Sequence, residues 1–340
     1  MTRTPFTGRI LRLVLASAVL GAAQALPAAA EVLYVASNRI EVVDSDTGKQ
    51  LAEIPLGHFV FDIAFSTDGS RAYLAVDEGV LEVDATKHAV IGRILDGPSF
   101  RLALSSDGKR LYALGNEVRR LADGQQEALP SHLTTFDLTQ RVVVSRHPVG
   151  DRAEEMALVA GQAAITRPQE RELSLVSLTD GATASRTAFT NKTEAEEVPG
   201  FINGLAIAPE GGRIYLGQFG EQSAIHAVDT ATGARTALPF KHEGFITGVE
   251  VSADGQTLYV TTRNHLAIMD ATTGAERAYI PLGGAHMKMA LSKDGRRTYH
   301  TLPTADERGG AVSVVDLAAG KVERTLSTPG ISPVAIGVRP

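Results

Sequence analysis

Four short β-rich runs recur in the same order seven times along the chain, and this recurrence restricts the fold more tightly than any other feature. The repeat is clearest around Asp254, in VEVSADGQTLYVTTRNHLAIMDATTGAERAYIPLG. Its first run ends just before Asp-Gly, its second carries a Tyr, and its third ends in Asp ahead of Thr-Gly. The fourth is amphipathic and leads into the next repeat. Asp-Gly and Thr-Gly are tight-turn signals, because Gly supplies the positive φ that such turns need. Four strands per repeat, short turns and no helical periodicity are the pattern of a propeller blade.

Each run can be followed separately. The first reads FDIAFS (61–66), FRLALS (100–105), EEMALV (154–159), NGLAIA (203–208), TGVEVS (247–252), MKMALS (287–292) and SPVAIG (332–337). The second reads LYVAS (33–37), AYLAV (72–76), LYALG (111–115), AAITR (163–167), IYLGQ (214–218), LYVTT (258–262) and TYHTL (298–302). The third ends at Asp44, Asp84, Asp137, Ser177, Asp229, Asp270 and Asp316. The fourth lies near 50–56, 89–95, 141–147, 184–189, 235–240, 276–282 and 321–326. The spacing is about 44 residues, within the range of propeller repeats. The expected fold is all-β: a seven-bladed β-propeller with four antiparallel strands per blade. The repeats begin on a second-class run and finish on a first-class run. SPVAIG is therefore expected to pair as the innermost strand beside LYVAS, closing the ring and removing its open edge.

With LYVTT as the best match and LYVAS, IYLGQ and TYHTL as looser ones, the sequence resembles the YVTN-repeat β-propeller family. The resemblance spans residues 31–340. It implies the propeller fold and says little about activity, since the family holds proteins of many roles. The fourth repeat departs from the pattern: AAITR lacks the Tyr and Ser177 replaces the Asp, so a less regular blade is expected there.

Residues 1–30 read as a secretory signal peptide: Arg3, Arg9 and Arg12, an uncharged apolar run from Leu13 to Leu26, then Ala28-Ala29-Ala30. The apolar run is shorter than the roughly 20 residues of a membrane span. Residues 31–340 then form one domain, expected in the periplasm or secreted, with no membrane contact after cleavage. Removal of three arginines and no acid takes the formal charge from −6 to −9. Such a chain without a basic block is a poor nucleic-acid binder. The absence of Cys and Trp excludes covalent haem, thiolate zinc, a cysteine nucleophile and a tryptophan-derived quinone made from this chain. No cofactor is expected.

The turns between first and second runs, and between third and fourth, are short and lie on one face. Length variation falls on the opposite face: 116–131, 168–172, 191–200, 219–223 and 303–310. Variable loops on a rigid scaffold are where binding usually resides. The innermost strands start on that face, around the channel. One position before their apolar cores stand Asp62, Arg101, Glu155, Gly204, Gly248, Lys288 and Pro333, with Glu154, Asn203, Arg167, Arg263 and His286 nearby. Arg101, Glu155, Asn203, Arg263, His286 and Lys288 are the candidate ligand-binding residues, for an anionic or zwitterionic small molecule. His58, His242 and His286 share this face but come from separated blades, which does not suit a metal. There is no Gly-x-Ser-x-Gly, P-loop or Rossmann motif.

These features point to a non-catalytic periplasmic binding or scaffold protein, with a protein partner or small ligand on the variable-loop face. Two alternatives come from other classes: a propeller subunit of a periplasmic quinoprotein-type amine dehydrogenase complex, and a propeller lyase or lactonase acting at the channel mouth. The mature chain is expected to start at Glu31. N-terminal sequencing of exported protein checks this, and retention of Met1 would disprove it.

Overall fold

The computed structural model describes residues 30–120, 126–188, 201–219, 223–304 and 309–340. They form seven four-stranded antiparallel sheets and no helix. Blade one contains Val32–Ala36, Arg39–Asp44 and Gln50–Pro55, with Ala335–Val338 as its innermost strand. The other six run inner to outer in chain order. Their inner strands are Val60–Phe65, Arg101–Leu104, Met156–Val159, Phe201–Ile207, Ile246–Val251 and Met289–Leu291, for blades two to seven. The molecule is a seven-bladed β-propeller.

The second strands are almost wholly buried, and their Tyr side chains show why the motif carries one. Tyr34, Tyr215 and Tyr299 are among the largest fully buried residues. Tyr34 belongs to blade one, packs edge-on against Phe65 of blade two, and donates its hydroxyl to the Ala85 carbonyl at 3.2 Å. A Tyr here fills the gap between twisted sheets while its hydroxyl finds a buried acceptor. The apolar core divides accordingly into seven clusters, one for each contact between neighbouring blades.

The Asp that ends each third strand organises the following turn. In the six blades that have it, its Oδ1 accepts the backbone N–H groups two and three residues on, at 2.7–3.1 Å. These bonds favour the charged form. The Thr86 hydroxyl draws Asp84 down to about 2, and the Thr273 backbone N–H does the same for Asp270. In blade four Ser177 makes the same two bonds more loosely, at 3.3 and 3.5 Å. The blade is nevertheless regular: four strands pair in order, and Leu173, Leu175, Ile202, Ile214 and Leu216 fill the interface that lacks a Tyr. The irregularity expected from its sequence is confined to its turns, where Arg152, Ala160 and Arg171 take positive φ, because large aliphatic groups from both blades take over the packing.

Closure follows the expected pairing. Leu33, Tyr34, Val35 and Ala36 face Val338, Gly337, Ile336 and Ala335. The strand is fixed beyond its ladder as well: Val334 donates to the Ala36 carbonyl, and the Arg339 side chain to the Gly69 carbonyl of blade two. Gly337 is required by close approach, because a Cβ there would lie 2.9 Å from the Phe65 ring. Truncation at Gly330 should lower the melting temperature by about 10 °C or more, the scale of a loss of ~4 kcal/mol in a domain of this length. Differential scanning calorimetry checks this, and unchanged unfolding would count against the closure as a stabilising feature.

Candidate functional site at the channel mouth

The inner strands bring charged residues to the axis by a shared backbone device. In blade four, Glu154 donates its N–H to the Thr166 carbonyl, Thr166 returns its own N–H to the Glu155 carbonyl, and Glu155 donates to the Thr166 hydroxyl at 3.1 Å. Blade seven repeats the arrangement: Met287 and Lys288 donate to the carbonyl and hydroxyl of Thr301, and Thr301 donates to the Lys288 carbonyl. Thr166 and Thr301 are both fully buried. They pin the backbone of Glu155 and Lys288 just where each strand enters the channel. In blades two, five and six a bulge falls at the same level, between Val60 and Asp62, Asn203 and Leu205, and Ile246 and Gly248. Bulges re-aim side chains at strand ends.

The result is a cavity of about 430 Å³ on the axis, lined by Asp62, Arg101, Glu155, Glu250 and Lys288, with Phe61, Met156 and Met289 among the apolar residues. Arg101 grips Glu155 with two parallel bonds, Nε to Oε2 at 2.6 Å and Nη2 to Oε1 at 2.5 Å. Lys288 reaches Glu155 Oε1 from blade seven at 3.3 Å. Asp62 Oδ2 accepts the Leu102 backbone N–H at 2.9 Å, tying blade two to blade three.

These contacts set the charges. Burial alone would raise Glu155, but Lys288 and Arg101 together hold it at about 2. Burial works against the Arg101 charge, yet Glu155 and Asp62 raise its pKa. Asp62 is raised, because burial outweighs Arg101 and the Leu102 N–H. Glu250 is different. Burial lifts it to about 7, with Lys288 opposing and Glu155 and Asp62 adding to the rise. Among the described residues no hydrogen bond or ion pair to its carboxylate is found. The lining holds three carboxylates and two cations.

The six residues singled out in the sequence divide evenly. Arg101, Glu155 and Lys288 meet in the cavity. Asn203 instead donates its side-chain amide to the Ile246 carbonyl at 3.0 Å, holding blade five to blade six. Arg263 is exposed on its loop, with its guanidinium over the Phe245 ring at 5.1 Å. His286 is fully buried, with Nδ1 at 2.9 Å from the Gly284 carbonyl and Nε2 at 3.0 Å from the Ser313 hydroxyl. Burial lowers its pKa, so it stays neutral. Of the neighbouring residues, Glu154 is exposed beside Glu155, whereas Arg167 is buried among Glu170, Glu172 and Ser174. His58 contacts Asp77, and His242 contacts Glu276 and stacks on Tyr279. Among the described residues, no three His, Cys, Asp or Glu side chains are arranged to hold a metal ion. Of the variable segments, residues 121–125, 191–200, 220–222 and 305–308 lie outside the described residues.

Glu250 was not among the sequence candidates. It sits two residues further along its strand than Gly248, on the same side, so about one strand repeat deeper in the channel. The signal emerges when the seven first strands are aligned. The position holds Ala64, Ala103, Ala157, Ala206, Ala290 and Ala335 in six blades, and Glu250 in the other.

No family model matches the chain, and no curated protein is similar to it in sequence. Solved structures share its fold. A functionally unknown protein from Desulfotomaculum acetoxidans superposes with a TM-score of 0.69 at 16% identity, covering 91% of this chain and 98% of that one. Hydrazine synthase of Kuenenia stuttgartiensis gives 0.67 at 15% identity, covering 83% and 90%. At these identities the likeness establishes the propeller and nothing finer.

The folded protein keeps the Glu250 proton up to about pH 7, whereas the unfolded chain releases it near the ordinary value of 4.5. Stability should therefore fall as pH rises through this window and level off above it. Glu250→Gln should remove that part of the decline. Denaturant midpoints at pH 5 and pH 8 for both proteins check this, and equal pH dependence would refute it.

Proposed function

We propose that this chain is an exported, non-catalytic binding protein of the YVTN-repeat kind, which works in the periplasm and holds a small charged ligand at the mouth of its channel. The observation that carries the reading is the convergence of Asp62, Arg101, Glu155, Glu250 and Lys288, from five different blades, on one cavity of about 430 Å³. That volume lies within the range of small-molecule sites. A second hollow of about 280 Å³, bounded by Ser37, Asn38, Phe59 and the 330–334 segment, has no charged residue in its lining.

The charge balance refines the expectation of an anionic or zwitterionic ligand. Arg101 is already committed to Glu155, and Lys288 shares the same carboxylate. A simple anion would meet two occupied cations and three acids. A zwitterion or a cation suits the lining better. An export signal at residues 1–30 and the Tyr-bearing second strands support the cellular and family parts of the reading. The lyase or lactonase alternative would draw on Glu250, whose proton is poised near neutrality, as a general acid or base. The cavity lining offers it no Ser, Thr, Cys or His nucleophile, and Thr247 beside it gives its hydroxyl to the Thr261 carbonyl. The dehydrogenase-subunit alternative rests on the fold alone.

Equilibrium dialysis against a small-molecule extract of periplasm, with mass spectrometry of what is retained, tests the reading. One charged species per chain should be held. Removing an acid from the lining, as in Asp62→Asn, should weaken retention by roughly tenfold to a hundredfold, the effect of a lost charged hydrogen bond of about 1.5–3 kcal/mol. If nothing is retained by the unaltered protein, the reading fails.

A further inference from the structure

We propose that Glu250 is the anchor for an ammonium group, and that the channel ligand is a small organic amine, either a simple cation or the amino end of a zwitterion. This deepens the reading of the channel mouth as a ligand site and rests on it.

The first reason is that the fold has no use for a carboxylate at this position. Six blades place Ala there and close their inner strands equally well. The second is that Glu250 is unmatched, whereas its neighbours are matched. Glu155 has Arg101 and Lys288, and Asp62 has the Leu102 N–H. No bond among the described residues satisfies Glu250. Glu250 is half-buried in the channel wall, and an unpaired carboxylate beside Glu155 and Asp62 is disfavoured in its charged form, a cost that a cation relieves.

The third reason is shape. Glu250's own blade and the one before it carry Gly248 and Gly204 where the others carry Asp62, Arg101, Glu155, Lys288 and Pro333. These glycines leave a side recess of about 80 Å³, lined by Gly204, Thr247, Gly248 and Met289, which shares Glu155, Glu250 and Lys288 with the main cavity. Gly204 has a φ of +79°, so glycine is also what its backbone requires. At Gly248 a Cβ would meet Met289 at an ordinary 3.8 Å, so the missing side chain there is not forced by packing. The recess opens beside Glu250, with Phe61 and Met156 in the wider cavity to receive an apolar body. The carboxylates do not cluster tightly enough for a metal ion, which favours an organic ammonium over an inorganic cation.

With the cavity empty, Glu250 holds its proton to about pH 7. The groups facing it are Lys288, Glu155 and Asp62. An entering ammonium takes the place of that proton, which passes to the buffer. Binding below pH 7 therefore releases a proton, and binding well above it does not.

Isothermal titration with n-butylammonium, benzylammonium, 4-aminobutyrate, butyrate and calcium chloride separates the possibilities. At least one amine should bind and butyrate should not. At pH 6 the enthalpy should vary with the ionisation enthalpy of the buffer, and at pH 8.5 it should not. Glu250→Gln should weaken the amine at least tenfold without lowering the melting temperature. Gly248→Leu, which fills the recess, should do the same to binding. Binding of butyrate alone, amine binding unchanged in Glu250→Gln, or a response to calcium alone would overturn the assignment. Failure of all the amines would overturn it too. If dialysis still retains a ligand that is not an amine, only the role of Glu250 falls. If dialysis retains nothing, the channel-site reading falls with it.

Discussion

Everything in this molecule depends on a four-residue ladder between the two ends of the domain. Ala335–Val338 pairs with Val32–Ala36, and through that ladder seven sheets that would otherwise fan open become a ring. A closed ring keeps only short inner edges, sheltered in the channel, and fixes the distance across its axis. Lys288 of blade seven can touch Glu155 of blade four only because of this fixed width. The cavity is a property of the whole ring, although each residue in it is placed by its own blade.

At the axis, the charges form an uneven set. Arg101 and Lys288 both serve Glu155, so two cations neutralise one acid and leave another without a partner. Pairing of partly buried charges is worth having only where geometry is good, and the two-pronged Arg101 contact is of that kind. The side chains of Arg101 and Glu155 are 18% and 13% exposed, so water screens the pair only partly. The pair joins blades three and four, and Lys288 extends the link across the channel. The same residues thus brace the ring and define what can enter it.

The architecture was legible in the sequence because its signals are local. The Asp that ends a third strand makes its bonds within three residues, and so all seven third-strand ends, Ser177 included, could be read directly. The regularity of blade four was not legible, because Leu173, Leu175 and Ile202 compensate through contacts between blades. The site was half legible. Arg101, Glu155 and Lys288 stand at the heads of inner strands, where backbone position alone sends a side chain to the channel. Asn203 and His286 stand nearby, but a bulge gives one to the Ile246 carbonyl and burial gives the other to Ser313. Such choices depend on partners distant in sequence. Glu250 was visible in the aligned repeats as one acid among alanines, but only a view down the channel gives that exception a meaning.

The closing strand also fixes an order of events. Whether the chain emerges from a ribosome or through a narrow export pore, residues 335–338 arrive after every other strand of the ring. Until then Val32–Ala36 has an open backbone edge, and blade one lacks the strand that shields it. Contacts spanning nearly the whole chain form slowly, because a very long loop must close first. The closing strand therefore acts as a latch: blades can assemble one after another as they appear, but the axial cavity takes its shape only when residues 335–338 are free to pair. A chain stalled before residues 335–338 emerge would present a sticky edge and no site.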